Sequence, residues 1–124
     1  MKNTLEKIID KLENDTGATW NVYDCGGGGS FEISTYPPAG ENVLISLDGS
    51  TLAELANDAR NAAEAFDAEE HAARILTAKR SGTENERRFY ADAPDSLRDL
   101  LEDAEEIAKL HKALFQALKT AAEG

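Results

Sequence analysis

With 124 residues, 41% of them hydrophobic and 30% charged, the chain is long enough to bury a core as one domain and too apolar to remain disordered. Its 24 acidic against 13 basic residues give a formal charge of −11, a field that disfavours direct contact with DNA, RNA or an anionic membrane and favours a cation or a basic protein partner. The single cysteine, Cys25, excludes an intramolecular disulfide and a multi-cysteine zinc site. This usage agrees with a reducing compartment.

No apolar run approaches the ~20 residues that a bilayer requires. The opening segment MKNTLEKIIDKLEND is charged and amphipathic, without the apolar core of a signal peptide, so a cytoplasmic protein is expected. In that segment Asn3 with Glu6 is read as a capping box for a first helix. Leu5, Ile8, Ile9 and Leu12 make a narrow apolar stripe, which Gly17 ends.

From Thr19 the period changes to two. Trp20 and Val22, then Phe31, Ile33 and Thr35, then Val43, Ile45 and Leu47 alternate with polar neighbours, and turn residues bound each run. Three antiparallel strands in a meander follow, joined through Gly26 to Gly29 and through Tyr36-Pro37-Pro38-Ala39-Gly40.

Asp48-Gly49 closes the third strand. Thr51 with Glu54 makes a capping box, and Leu52, Leu55, Ala56, Ala59, Ala62, Ala63 and Phe66 share one face of the helix it opens. Asp67 with Glu70 opens the next helix, which runs to about Arg80 with Ala68, His71, Ala72, Ile75 and Leu76 turned inward. The stretch from Ser81 to Asp92 lacks either period and is read as a loop. It carries a local excess of base: Lys79, Arg80, Arg87 and Arg88 precede Phe89 and Tyr90. Such a group suits nucleic-acid contact, a helix end, or an acidic ridge.

The dominant element is a long helix predicted over Pro94 to Ala122, with Pro94 in its first turn. Leu97, Leu100, Leu101, Ala104, Ile107, Ala108, Leu114, Phe115 and Leu118 recur at three- and four-residue steps and form its buried face. Glu105 is spaced to pair with Lys109, one turn on. Asp99, Glu102, Asp103 and Glu106 lie at i, i+3, i+4 and i+7, a spacing at which like charges repel by a few tenths of a kcal/mol, about 0.2–0.5 each. The row is either a solvated face or an anionic ridge.

Residues that could carry chemistry are sparse. CGGGGS, around Cys25, leads into a strand rather than a helix N-terminus, so it does not cradle phosphate, and no base is evident to activate the thiol. His71 and His111 fall on apolar helix faces and are expected in the core. The nearby carboxylates Glu69, Glu70, Glu105 and Glu106 project elsewhere, so no metal site or cofactor is expected. Acid pairs such as Glu69-Glu70 sit where nothing would separate their pKa values, and no enzyme activity is expected.

The segments WNVYDCGGGGSFEISTYPPAGEN, FDAEEHAARI and APDSLRDLLEDAEEI resemble a family of small acidic uncharacterised proteins of bacteriophages and other bacterial mobile elements. The order helix, three strands and helices is also similar to that of ArdA-like anti-restriction proteins. That resemblance implies an acidic DNA mimic. It carries over no catalytic residue.

These readings give a single α+β domain over residues 1–124: an N-terminal helix, a three-stranded antiparallel meander and three helices packed on one face, the last of them long. The expected function is a non-enzymatic phage or mobile-element binder, an anti-restriction or anti-CRISPR inhibitor that presents carboxylates to a basic, nucleic-acid-binding protein such as a nuclease. Asp95, Asp99, Glu102, Asp103 and Glu106 would form one row of contacts and Glu54, Asp58 and Glu64 a second. The alternative is an interaction module or homodimer that pairs through its apolar helix faces.

Overall fold

The computed structural model describes residues 2–24, 30–36 and 43–124, and the side chains of all of these but 43 and 44. Cys25, the Gly26 to Gly29 connection and the Pro37 to Gly40 part of the second connection lie outside the described residues. The element order is α1 (Lys2–Thr16), β1 (Thr19–Asp24), β2 (Ser30–Tyr36), β3 (Val43–Asp48), α2 (Leu52–Ala65), α3 (Ala68–Ser81), α4 (Glu84–Phe89) and α5 (Leu97–Glu123). The fold is α+β, and its elements divide into two compact units, 1–65 with 109–124 and 66–108.

The first unit is built on the sheet. Its strands run β1-β2-β3, both pairs antiparallel. The register sets Trp20 against Thr35, Val22 against Ile33, Phe31 against Leu47 and Ile33 against Ile45. Alternation puts all of these on one face, which a one-residue slip would reverse. That face meets Leu5, Ile9 and Leu12 of α1, Leu55, Ala56 and Ala59 of α2, and Leu110, Leu114 and Leu118 of α5 in one buried cluster. On the opposite face Thr19, Tyr23, Tyr36 and Ser46 are exposed.

Two side chains of α1, Thr16 and Glu13, bond to Trp20 of β1. Thr16 Oγ1 donates to the carbonyl of Leu12 at 2.8 Å and accepts from the Trp20 indole N–H at 3.1 Å, while the Glu13 carboxylate accepts from the Trp20 backbone N–H at 3.1 Å. Gly17 makes the reversal possible with φ +71°, a left-handed conformation that favours glycine, and its N–H bonds to the Glu13 carbonyl at 2.9 Å. Asn3 lies inside α1 rather than at its cap, because helical hydrogen bonding already begins at Lys2.

The Thr51 box forms with one shift. Thr51 Oγ1 accepts from the Glu54 N–H at 3.2 Å, but Glu54 returns its carboxylate to the Ser50 N–H at 3.0 Å. The chain reaches this turn through Gly49 at φ +157°, where an added Cβ would stand 2.6 Å from the Glu54 Cβ. Gly49→Ala is therefore expected to cost about 1–3 kcal/mol, readable as a lower urea midpoint. A variant as stable as the parent would mean that the turn relaxes freely.

The second unit holds its own cluster, Ala72 and Ile75 of α3 with Leu100 and Ala104 of α5, flanked by Phe66, Leu76 and Tyr90. Phe66 was expected on the face of α2; it instead falls beyond the end of that helix and packs in this cluster. Asp67 caps α3 as expected, its Oδ1 accepting from the Glu70 N–H at 3.1 Å.

Residues 84–89 correct the loop reading. They form α4, whose capping box has Thr83 Oγ1 accepting from the Glu86 N–H at 3.2 Å and Glu86 accepting from the Thr83 N–H at 3.1 Å. Among the described residues four helices, not three, follow the sheet. The start of α5 also differs. Ser96 Oγ accepts from the Asp99 N–H at 3.2 Å, so Pro94 precedes the cap and Leu97, at the first helical position, is exposed.

Candidate functional site

Lysine 79 organises the segment between α4 and α5. The last turns of α3 bring its ammonium to the carbonyls of Tyr90 at 3.1 Å, Ala91 at 3.4 Å and Ala93, and to Asp95 Oδ1 at 2.9 Å. Its side chain is only 10% exposed. Three donors on a rotatable head suit a ring of carbonyls, which a planar guanidinium would fit poorly. Asp95, expected to contact a partner, thus holds Lys79 although its own side chain remains in solvent.

The rest of the first acidic row lies on α5. Asp99, Glu102 and Glu105 are exposed, and Asp103 and Glu106 are half-buried. Arg98 Nε stands 3.8 Å from Glu102 Oε1, an i, i+4 contact between two well-exposed side chains. The expected Glu105–Lys109 pair is not among the ion pairs of the described residues. At a rise of 1.5 Å per residue, Asp99 to Glu106 spans about 10 Å of helix.

The second row belongs to the other unit, and two of its three members have work inside the fold. Asp58 Oδ2 accepts from the Asp48 N–H at 2.8 Å, closing the end of β3 onto α2, and Glu54 caps through Ser50. Glu64 is exposed near the end of α2. The Glu54 cap was legible from its spacing to Thr51, but the Asp58 bond joins residues of two elements and was not indicated by helical spacing.

Both histidines are packed. His111 is 8% exposed in α5. His71 is half-buried, its ring 5.2 Å from that of Phe66 at a 49° tilt. Among the described residues no group of three His, Cys, Asp or Glu side chains could hold a metal ion, and no helix is long and apolar enough to cross a membrane.

The basic stretch separates into different roles. Lys79 is committed to the carbonyls, and Arg88 pairs with Glu84 at 3.0 Å within α4. No ion pair among the described residues joins Arg80 or Arg87 to a carboxylate. Phe89, which follows Arg88 in the chain, is 78% exposed, its ring edge-on to Tyr90 at 4.8 Å and 89°. The adjacent Arg-Arg-Phe was visible in the sequence, but the outward direction of Phe89 depends on the six-residue helix that the sequence reading missed. No family model, curated protein or solved structure matches the chain.

Proposed function

We propose that the protein is a non-enzymatic binder whose α5 presents carboxylates to a basic, nucleic-acid-binding protein, in the manner of an anti-restriction or anti-CRISPR inhibitor. The observation that carries this reading is the row Asp99, Glu102, Asp103 and Glu106 on one side of a 27-residue helix, with Arg98 as its ion-pair neighbour. Duplex DNA carries one negative charge per ~1.7 Å of axis, so a rigid row of acids competes for the same Lys and Arg groups. The charge of −11 draws such a partner in and repels nucleic acid itself. Asp95, Glu54 and Asp58 shape the fold as well as its charge, which concentrates the reading on α5 and on Glu64.

The test is a pull-down from bacterial lysate with a salt gradient, repeated with Asp99, Glu102, Asp103 and Glu106 all changed to Lys. A nuclease or other DNA-binding protein should elute at moderate salt from the parent and be lost from the variant, while the melting transition of the variant persists. Equal capture by parent and variant would overturn the reading.

A further inference from the structure

We infer that the face of the sheet turned away from its core is a docking surface for an extended, arginine- or lysine-bearing segment of a partner protein. The antiparallel register fixes which side chains share this face. Tyr36 lies opposite Thr19, Ser34 opposite Asn21, Glu32 between Tyr23 and Ser46, and Ser30 opposite Asp48. Directly opposed residues have Cβ atoms about 5 Å apart and diagonal neighbours about 7–8 Å, so Tyr23, Glu32 and Asp48 share one corner of the face. Tyr36 stands at the other end, about 14 Å along the strands from Tyr23. Tyr23 is 55% and Tyr36 43% exposed, whereas Trp20, Phe31 and Ile33 on the other face are buried. Between the two rings the side chains are short, with Asn21 half-buried and Ser34 buried.

The charge of the face decides what it fits. None of the 13 Lys and Arg residues lies between Lys11 and Arg60, a stretch that includes all three strands. In this unit the bases belong to α1, α2 and α5, the helices whose apolar sides cover the opposite face. The open face thus offers two tyrosine rings and the carboxylates of Glu32 and Asp48, without a base of its own among the described residues. Asp48 Oδ1 accepts from the Ser30 hydroxyl at 2.6 Å, which holds that carboxylate on this face. A tyrosine ring attracts a guanidinium or ammonium over its plane, and the carboxylate one strand away completes the pairing. An extended chain advances about 3.3–3.6 Å per residue, so side chains four residues apart reach both tyrosines. A second copy would set the same carboxylates against these, and nucleic acid would bring phosphates, so like charge opposes both. Asp99, Glu102, Asp103 and Glu106 belong to the other unit, and this inference does not rest on the inhibitor reading.

The probe is a fluorescein-labelled peptide of alternating arginine and serine, titrated by fluorescence anisotropy in about 150 mM salt, where the general field of the chain is damped. In the parent chain, the amide chemical shifts that the unlabelled peptide moves should concentrate in 19–24, 30–36 and 45–48. Tyr23→Ser and Tyr36→Ser leave the charge of the chain unchanged, and each should weaken binding roughly threefold to tenfold. Glu32→Gln should weaken it more than Asp99→Asn with Glu102→Gln, although that pair removes twice the charge. Shift changes confined to α5 or scattered over every acidic element would overturn the inference, as would affinities that follow net charge alone through these variants. So would an equal shift map from oligo-dT, which would assign the face to single-stranded nucleic acid, or a dimer abolished by Tyr23→Ser, which would assign it to a second copy. The shift map is taken on the parent, so it decides the matter even where a variant unfolds.

Discussion

Replacing Lys79 with Met is expected to destabilise the protein by about 2–3 kcal/mol, the cost of removing charge-assisted hydrogen bonds from partly buried carbonyls while keeping the length of the side chain. The ammonium is the shared donor to Tyr90, Ala91 and Ala93, so its loss leaves three acceptors to find water or to move. Asp95→Asn separates the ion pair from the carbonyl contacts. Because the Asp95 side chain is 95% exposed, its share should be roughly 0–1 kcal/mol. Lys79→Arg should recover only part of the loss, since a planar fork cannot converge on the same points. Urea unfolding followed by circular dichroism reads all three. A Lys79→Met variant as stable as the parent would mean that the 90–95 segment keeps its path without this donor.

The other large effect is in the first core. Leu118 is fully buried among the sheet, α1 and α2, and Leu118→Ala should cost about 3–5 kcal/mol, from lost transfer energy together with the cavity left behind. Ile75, 3% exposed in the second cluster, gives the comparison. Native-state hydrogen exchange should quicken first in α1 and the strands for Leu118→Ala, and first in α3 and α4 for Ile75→Ala. Uniform acceleration in both variants would mean that the two clusters open as one cooperative structure.

What could be read from the chain alone was set by the range of the interaction. The strands and the inward faces of α1, α3 and α5 follow from alternation and from three- and four-residue spacing, which are local. Leu5, Ile9, Leu12, Ile75, Leu100, Leu114 and Leu118 are buried as expected. Helix α4 escaped because six residues with no buried side chain make no periodic pattern. Its one signal, Thr83 followed by Glu86, is the same box that was recognised at Thr51 and Asp67. Pro94 misled because it suits a first turn, but Ser96 caps better through its hydroxyl.

The candidate site was legible as composition rather than as geometry. That α5 carries a row of acids is plain from the spacing. That Asp58 closes β3 and Asp95 holds Lys79 is not, because these contacts join residues 10 and 16 positions apart whose approach the tertiary fold decides. Charge counts therefore credit to the surface several carboxylates that the fold itself employs.

Helix α5 runs without a break from 97 to 123, through the boundary at 108 and 109 between the two units. The second unit is one continuous stretch of chain, whereas the first draws its last buried leucines from beyond it. Synthesis on the ribosome proceeds from the N-terminus, and domains generally fold in that order. Here the order is inverted. All of 66–108 has been made while the sheet still awaits Leu110, Leu114 and Leu118, so Phe31, Ile33 and Leu47 stay incompletely covered until those residues have emerged. That interval is when the nascent chain is most exposed to misassociation, and when a chaperone has most to bind.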